Sequence, residues 1–220
     1  RKNENFREAL EQGTLMLPDG HGLLLVSTLL RSKSNLLRGL AYLPSLLLFL
    51  IWKQPFKKVF PEIIHGSDFM VDLIEWSLLN KKSVFFLGGK KGIAEKTAQA
   101  FIKKYPRLMV AGYSHEDPSE EAFELVKKSR AQVLFVAYGA PKQELWIADY
   151  AKKIPTLIHT MGVGGSLDFW SGEMKRAPQL LRKLGLEWVW RLFMQPLKRL
   201  RRIYNATVLF PLISLFGDDC

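Results

Sequence analysis

A lysine, an amide and a carboxylate follow one another as Lys142, Gln143 and Glu144, directly after a Gly-Ala-Pro turn. The residues before that turn, 133–138, are apolar and rich in β-favouring types, as expected for a strand buried on both faces. A helical pattern begins just after the proline. Open α/β sheets bind ligands at such strand-turn-helix junctions, at the carboxyl ends of the strands. This turn is therefore the first candidate for an active site.

Two glycine-rich turns follow other apolar runs and could approach a phosphate. Residues 88–92 read Gly-Gly-Lys-Lys-Gly, and backbone N–H groups between a strand and a helix suit a pyrophosphate. The run is neither a Walker A loop nor a full G-x-G-x-x-G, so a plain turn is an equal alternative. Residues 162–165 contain three glycines, which lets the backbone come close to a ligand.

Three further side chains could supply charge beside these turns. Asp19 lies in a Pro-Asp-Gly-His-Gly run and is either a turn residue or an active-site carboxylate. Asp168 either caps the segment that follows it or contacts a ligand. Arg176 comes shortly after the glycine-rich residues 162–165 and is well suited to clamp a phosphate. No His, Cys and carboxylate grouping has metal-ligand spacing, so we expect no bound metal.

Apolar runs that alternate with amphipathic segments position these residues. Strands alternating with helices of about 10–15 residues imply a mostly parallel sheet with right-handed crossovers. The pattern predicts a Rossmann-like α/β fold with helices on both faces of the sheet. The predicted strands are 83–87, 108–112, 133–138 and 156–163, and the predicted helices are 68–80, 93–105 and 118–129.

The positive net charge of the chain indicates an anionic partner. A formal net charge of +11 over 220 residues suits nucleic acid, an acidic membrane face or phosphorylated substrates. The single cysteine, Cys220, excludes internal disulfides and cysteine-based metal sites. The chain begins with Arg1 rather than Met, so we expect that it is a fragment without its natural start.

Two apolar or basic segments stand outside the α/β pattern. Residues 39–52 form a run of fourteen without a charge, interrupted by Pro44, and are either a core helix or hairpin or an interfacial membrane segment. Residues 175–202 carry nine Lys and Arg against one acid and read as a basic amphipathic helix. We predict an α/β domain over 1–188, with an apolar insert at 31–60, and a membrane-associating appendage over 189–220.

Taken in order, several short motifs of this chain resemble the WecG/TagA/CpsF family of glycosyltransferases, over roughly residues 5–202. The specific blocks are Gly-Ala-Pro-Lys-Gln-Glu at 139–144 and Lys-Arg-Ala-Pro at 175–178, followed by Gly-Leu-Glu-Trp at 185–188. The less specific ones are Leu-Pro-Asp-Gly at 17–20, His-Gly-Ser-Asp at 65–68, Leu-Gly-Gly at 87–89, and Gly-Val-Gly-Gly at 162–165 with Asp168-Phe169.

The resemblance implies transfer of a sugar from a UDP-sugar to a polyprenyl-diphosphate-linked saccharide in bacterial cell-surface polysaccharide synthesis. It implies an inverting reaction without a metal or other cofactor, on the cytoplasmic face of the plasma membrane, where the enzyme binds peripherally to anionic lipid. The resemblance implies that the transferred sugar is N-acetylmannosamine, its uronic acid or glucose.

The resemblance also assigns roles to particular residues. It implies that Asp19 is the general base, with Glu144 as the alternative. It implies a UDP-sugar site lined by Gly88, Gly89, Gln143, Glu144, Gly164, Gly165 and Asp168. Arginines would reach the diphosphates, and we select Arg176, Arg191 and Arg199. An inverting transfer needs one carboxylate to take a proton and positive charge to stabilise the departing UDP, which gives the +11 charge a chemical reason.

Two other classes of protein share some of these features. A nucleotide-binding dehydrogenase-like protein would need a complete G-x-G-x-x-G with an acid about 20 residues on. A non-catalytic binder of nucleic acid or membrane would explain the charge but not the polar loops at several strand ends, so we expect no nucleic-acid partner. The apolar insert and tail could instead be subunit interfaces, which leaves a homo-oligomer open.

Overall fold

A computed structural model of the chain describes residues 4–16 and 66–174, together with the isolated positions 178, 190, 193, 204, 205 and 209. The chain divides into two units, Arg1–Met16 with His65–Arg176, and Leu17–Ile64 with Ala177–Cys220. The sheet and the helices around it belong to the first unit. The predicted boundary between an α/β domain at 1–188 and an appendage at 189–220 stays a prediction.

A sheet of four parallel strands forms the centre of this unit. The strands lie in the order β2-β1-β3-β4, so that the first and third in sequence are the two central ones. Their bounds are β1 (Val84–Gly88), β2 (Val110–Ser114), β3 (Val133–Ala137) and β4 (His159–Gly162).

Helices cover both faces of the sheet. On one face α2 and α3 pack against the sheet, and on the other face α4 and α5 do so. The N-terminal helix α1 lies against α5. The helices are α1 (Glu4–Glu11), α2 (Gly66–Leu79), α3 (Ile93–Lys104), α4 (Glu120–Ser129), α5 (Lys142–Tyr150) and α6 (Leu167–Trp170), with 3-10 turns at Ala151–Lys153 and Gly164–Ser166.

The central strands are apolar along their whole length because both of their faces are covered. Every residue of β1 and β3 is buried. Phe86 and Phe135 point to the same face, where their rings stack at a centroid distance of 5.5 Å. Leu134 and Val136 point to the opposite face, into the second core. Burial of each such side chain contributes about 1.5–3 kcal/mol relative to exposure.

The helices bury one stripe each, as their sequence spacing requires. In α3 the buried residues recur at intervals of three and four, from Ile93 to Phe101, which is the period of one helix face. The helix α4 begins at Ser119, whose Oγ accepts a hydrogen bond from the N–H of Ala122. Such a cap satisfies a backbone donor that the first helical turn leaves free.

The connections reverse direction at the carboxyl ends of β1 and β3. From β1 the chain passes to β2 on one side, whereas β3 lies against the other side of β1. The connections after β1 and β3 therefore lead to opposite sides of the sheet, which makes the junction of these two strands its topological switch point. Switch points of this kind are the usual ligand sites of open α/β sheets.

The predicted fold class, a mostly parallel sheet with helices on both faces, is confirmed. Two strand predictions differ from the structure, since β2 occupies Val110–Ser114 rather than 108–112, and β4 occupies His159–Gly162 rather than 156–163. Within residues 4–16 and 66–174 no helix is long and apolar enough to cross a membrane. The apolar residues 39–52 lie outside these ranges.

Candidate active site

The carboxyl ends of β1, β3 and β4 bring three turns of the chain together. The N–H of Gly89, after β1, donates to the carbonyl of Ala137 at the end of β3 over 3.2 Å. The N–H of Val163, after β4, donates to the carbonyl of Val136 over 2.8 Å. The residues predicted from three separate motifs therefore lie along one edge of the sheet.

Gly88 and Gly89 need to be glycines for steric reasons. Both have positive φ, 93° and 81°, in a region that side chains with a Cβ rarely adopt. A Cβ on Gly88 would lie 2.8 Å from the Tyr138 ring, and one on Gly89 would lie 3.1 Å from Ile93. The backbone can thus pass close to its neighbours here and begin α3 at the same edge.

Gln143 joins the turn after β3 to the turn after β4. The residue is 7% exposed. Its Oε1 accepts hydrogen bonds from the N–H of Gly139, over 3.1 Å, and from the N–H of Gly164, over 3.0 Å. Both backbone donors are thereby satisfied by one side chain, which fixes the separation of the two turns.

The carboxylate of Glu144 lies beside that amide. Gln143 Nε2 donates to Glu144 Oε1 over 2.8 Å. The second oxygen, Oε2, is buried and has no hydrogen-bond partner among the described residues. Glu144 belongs to the first turn of α5, where the partial positive charge of the helix N-terminus favours a carboxylate.

The glycine-rich residues 162–165 and Asp168 lie on successive short elements after β4. Gly164 and Ser166 belong to a 3-10 turn that leads into α6. Asp168 lies inside α6, whose N-cap is Ser166, so that Asp168 is not the cap of this helix. A Cβ placed on Gly165 would lie 3.5 Å from Asp168 Oδ2, so the side chain turns back toward the loop.

Tyr138, which no sequence motif singled out as a site residue, also lies at this edge. Its ring packs edge-on to Trp146, with the centroids 6.0 Å apart, and lies over Gly88. Its hydroxyl is buried without a hydrogen-bond partner among the described residues. Burial raises the pKa of Tyr138, and the negative charges of Asp117 and Glu116 raise this pKa further.

The sequence does contain a sign that acidic side chains lie near Tyr138. Residues 115–119 read His-Glu-Asp-Pro-Ser and connect β2 to α4, so they leave the sheet at the same edge as the other turns. The predicted second strand ended two residues too early, so the prediction did not place this acidic loop at the carboxyl edge of the sheet.

Four of the predicted functional residues lie outside the described residues: Asp19, Arg176, Arg191 and Arg199. Their predicted roles stay predictions. In the described part of the chain, no group of three or more His, Cys, Asp and Glu side chains is placed to hold a metal ion.

The described edge combines two kinds of recognition group. Main-chain N–H groups at a helix N-terminus, such as the start of α3 after Gly92, favour phosphate oxygens. A carboxylate oxygen accepts hydrogen bonds and therefore favours hydroxyl groups. The edge is thus suited to a ligand that carries both phosphate and hydroxyl groups, as a nucleotide sugar does.

Comparison with known proteins gives a family and several relatives for this chain. The model of the Glycosyl transferase WecG/TagA/CpsF family matches residues 39–216. An N-acetylglucosaminyldiphosphoundecaprenol N-acetyl-beta-D-mannosaminyltransferase of Bacillus spizizenii is 29% identical over 206 residues, 93% of this chain and 69% of the relative.

Two further relatives have the same name. The protein of Bacillus subtilis is 28% identical over 214 residues, 94% of this chain and 73% of the relative. The protein of Staphylococcus aureus is 32% identical over 159 residues, 71% of this chain and 60% of the relative. The match to the family covers most of the chain and confirms the resemblance found from the motifs. The chain belongs to the WecG/TagA/CpsF family of glycosyl transferases.

Proposed function

We propose that this glycosyltransferase moves N-acetylmannosamine from UDP-N-acetylmannosamine to N-acetylglucosaminyl-diphosphoundecaprenol. Three relatives carry this acceptor and this sugar in their names, which favours N-acetylmannosamine over its uronic acid or glucose. The product would serve as a linkage unit for a bacterial cell-surface polysaccharide.

The observation that carries the proposal is the edge formed by the turns after β1, β3 and β4. Gly88 allows the turn after β1 to lie against Tyr138, at the end of β3, and Gln143 ties the turns after β3 and β4 together. The N-terminus of α3, directly after Gly92, supplies main-chain N–H groups for the diphosphate of the donor, and Glu144 supplies an acceptor for its sugar. A dehydrogenase-like site would need the G-x-G-x-x-G pattern, and the sequence lacks it after β1.

The reaction we propose is a single displacement with inversion. Asp19 takes the proton of the acceptor hydroxyl as its oxygen attacks C1 of the donor sugar from the face opposite to UDP. The new C1–O bond forms while the bond from C1 to the diphosphate breaks, and UDP leaves with the electron pair. Arg176, Arg191 and Arg199 neutralise the charge that develops on the diphosphate, without a metal ion.

The acceptor is carried by a membrane lipid, so the enzyme must reach a membrane surface. We propose that the basic residues 175–202 bind anionic lipid, each basic side chain near the surface contributing about 1 kcal/mol. The enzyme would then act as a peripheral protein on the cytoplasmic face. Binding of this kind weakens as salt is added, because salt screens the charges.

The experiment is a transfer assay with the purified full chain, UDP-N-acetylmannosamine and N-acetylglucosaminyl-diphosphoundecaprenol. We expect UDP release that depends on the acceptor, and a disaccharide-lipid product. UDP-glucose and the donor uronic acid serve as comparison donors, and preferential turnover of either one would contradict the proposed sugar.

Within that assay Asp19→Asn tests the general base. We expect a rate lower by about 100-fold or more, with little change in UDP affinity. Wild-type turnover by this variant would move the base to another residue, and the absence of turnover by the wild-type chain with every donor would refute the transferase reaction proposed here.

A further inference from the structure

Gln143 and Glu144 have different relations to a ligand, although both were predicted as UDP-sugar contacts. An amide side chain has two acceptor positions and two donor positions. The Gln143 oxygen already accepts from Gly139 and Gly164, and its nitrogen already donates to Glu144. Gln143 therefore spends most of its hydrogen-bonding capacity inside the protein.

The space that Gln143 occupies is equally restricted. A Cβ on Gly162, at the end of β4, would lie 2.7 Å from Gln143 Nε2 and 3.0 Å from its Cδ. Only a glycine at that position leaves room for the amide. Packing and hydrogen bonds thus hold the amide from three sides.

Glu144 differs from Gln143 because one of its two carboxylate oxygens is not hydrogen-bonded to any described residue. Its Oε1 is occupied by the Gln143 amide, and its buried Oε2 has no hydrogen-bond partner among the described residues. A buried polar atom without a partner is costly, and this cost is recovered when a ligand supplies a donor.

The chemistry of Oε2 selects which part of the donor it can bind. An ionised diphosphate has no hydrogen-bond donor and is repelled by a carboxylate. A sugar hydroxyl donates readily, and hydrogen bonds from a hydroxyl to a carboxylate are among the stronger ones. The oxygen is therefore suited to a part of the donor that carries hydroxyl groups and not to the diphosphate.

We propose that Gln143 is a positioning residue that holds Glu144 so that Oε2 accepts a hydrogen bond from a hydroxyl of the transferred sugar. This assignment rests on the proposed function, since it requires a UDP-sugar at this edge. Glu144 then determines sugar specificity, and the general base remains a separate residue.

The first test uses Glu144→Gln with UDP-N-acetylmannosamine and with analogues that each lack one sugar hydroxyl. We expect kcat/KM to fall by about 10–100-fold, mainly through a higher KM for the donor. The wild type should discriminate strongly against one of the deoxy donors, and the variant should lose at least about tenfold of that discrimination. Glu124→Gln on α4, where Glu124 pairs with Lys127 on the surface, is the matched control and should behave as wild type.

The second test exchanges the two side chains. Gln143→Glu alone replaces the donor to Glu144 by a second carboxylate and should lower kcat/KM. The double variant Gln143→Glu with Glu144→Gln restores a donor-acceptor pair between the two positions and presents an amide oxygen to the sugar. Its kcat/KM should exceed the value expected from independent effects by about tenfold.

Three results would overturn the assignment. One is a Glu144→Gln variant that behaves as Glu124→Gln does. Another is loss of kcat at unchanged donor KM together with loss of the acid limb of the pH profile, which would make Glu144 the general base. The third is strict additivity in the exchanged double variant. These outcomes are ratios to the wild type, so they are distinct from the absence of wild-type turnover, which would refute the proposed function itself.

Discussion

Replacing Gln143 by leucine removes the acceptor that the turns after β3 and β4 share. The N–H groups of Gly139 and Gly164 both donate to Gln143 Oε1, over 3.1 and 3.0 Å. Leucine has a similar volume but no acceptor, so both donors lose their partner. The backbone of the two turns should then separate or admit water.

The size of the effect follows from the number of donors and their exposure. Each unsatisfied buried donor costs about 1–3 kcal/mol. Both glycines are partly accessible and can recover some hydration, so the lower part of the range applies to each. We expect the free energy of unfolding to fall by about 2–3 kcal/mol, with a Tm lower by about 4–12 °C.

Thermal unfolding and amide hydrogen exchange measure this effect together. The amides of Gly139 and Gly164 should exchange faster in Gln143→Leu, whereas the Gly89 amide, bonded to Ala137, should change little. Gln99→Leu is the matched control, because Gln99 is an exposed glutamine whose amide contacts Glu95. Equal stability of the two variants, with unchanged exchange at both glycines, would refute the shared-acceptor interpretation.

Two further substitutions test the packing at the carboxyl ends of β1 and β3. Gly88→Ala should lower the free energy of unfolding by about 2–4 kcal/mol, because its Cβ meets the Tyr138 ring at positive φ. The control is Gly92→Ala, which introduces the backbone strain alone, since Gly92 has a φ of 83° but open space around it. Chemical denaturation measures both variants, and an equal loss of stability in the two would exclude the clash. Tyr138→Phe removes a buried hydroxyl whose pKa is raised by burial. In the wild type, the stability that the neutral phenol contributes is therefore fully present below a pH of about 10. It declines above that pH, because the tyrosine of the unfolded chain ionises first. Between pH of about 7.5 and 10.5 the phenylalanine variant should gain up to about 0.8 kcal/mol on the wild type, and urea denaturation that shows a constant difference would contradict the raised pKa.

Local patterns in the sequence determine the fold class of the described unit. Runs such as Val133–Ala137 are uniformly apolar because the sheet is covered on both faces. Segments such as Ile93–Lys104 have an apolar stripe at helical spacing. Each of these signals is contained within one element and needs no knowledge of its neighbours. The motifs at the strand ends likewise determine the family.

Element bounds were determined less well where a competing signal was present. The strand β2 is only half-buried because it lies at the edge of the sheet, and its small and polar residues Gly112 and Ser114 resemble a loop. The prediction therefore stopped early and missed the contribution of residues 115–119. Tyr138 was counted as the last residue of an apolar strand, and its phenol gave no sign of being buried without a partner.

Only the tertiary structure decided which predicted residues are hydrogen-bonded to one another and which polar atom has no partner among the described residues. Gln143 and Glu144 are adjacent in the chain, and their types alone suggested the same role. The difference arises because Gly139 and Gly164, which are far apart in sequence, both direct their N–H groups at one amide oxygen. Hydrogen bonds between turns depend on strand order and register, and neither is encoded in the spacing of a single motif.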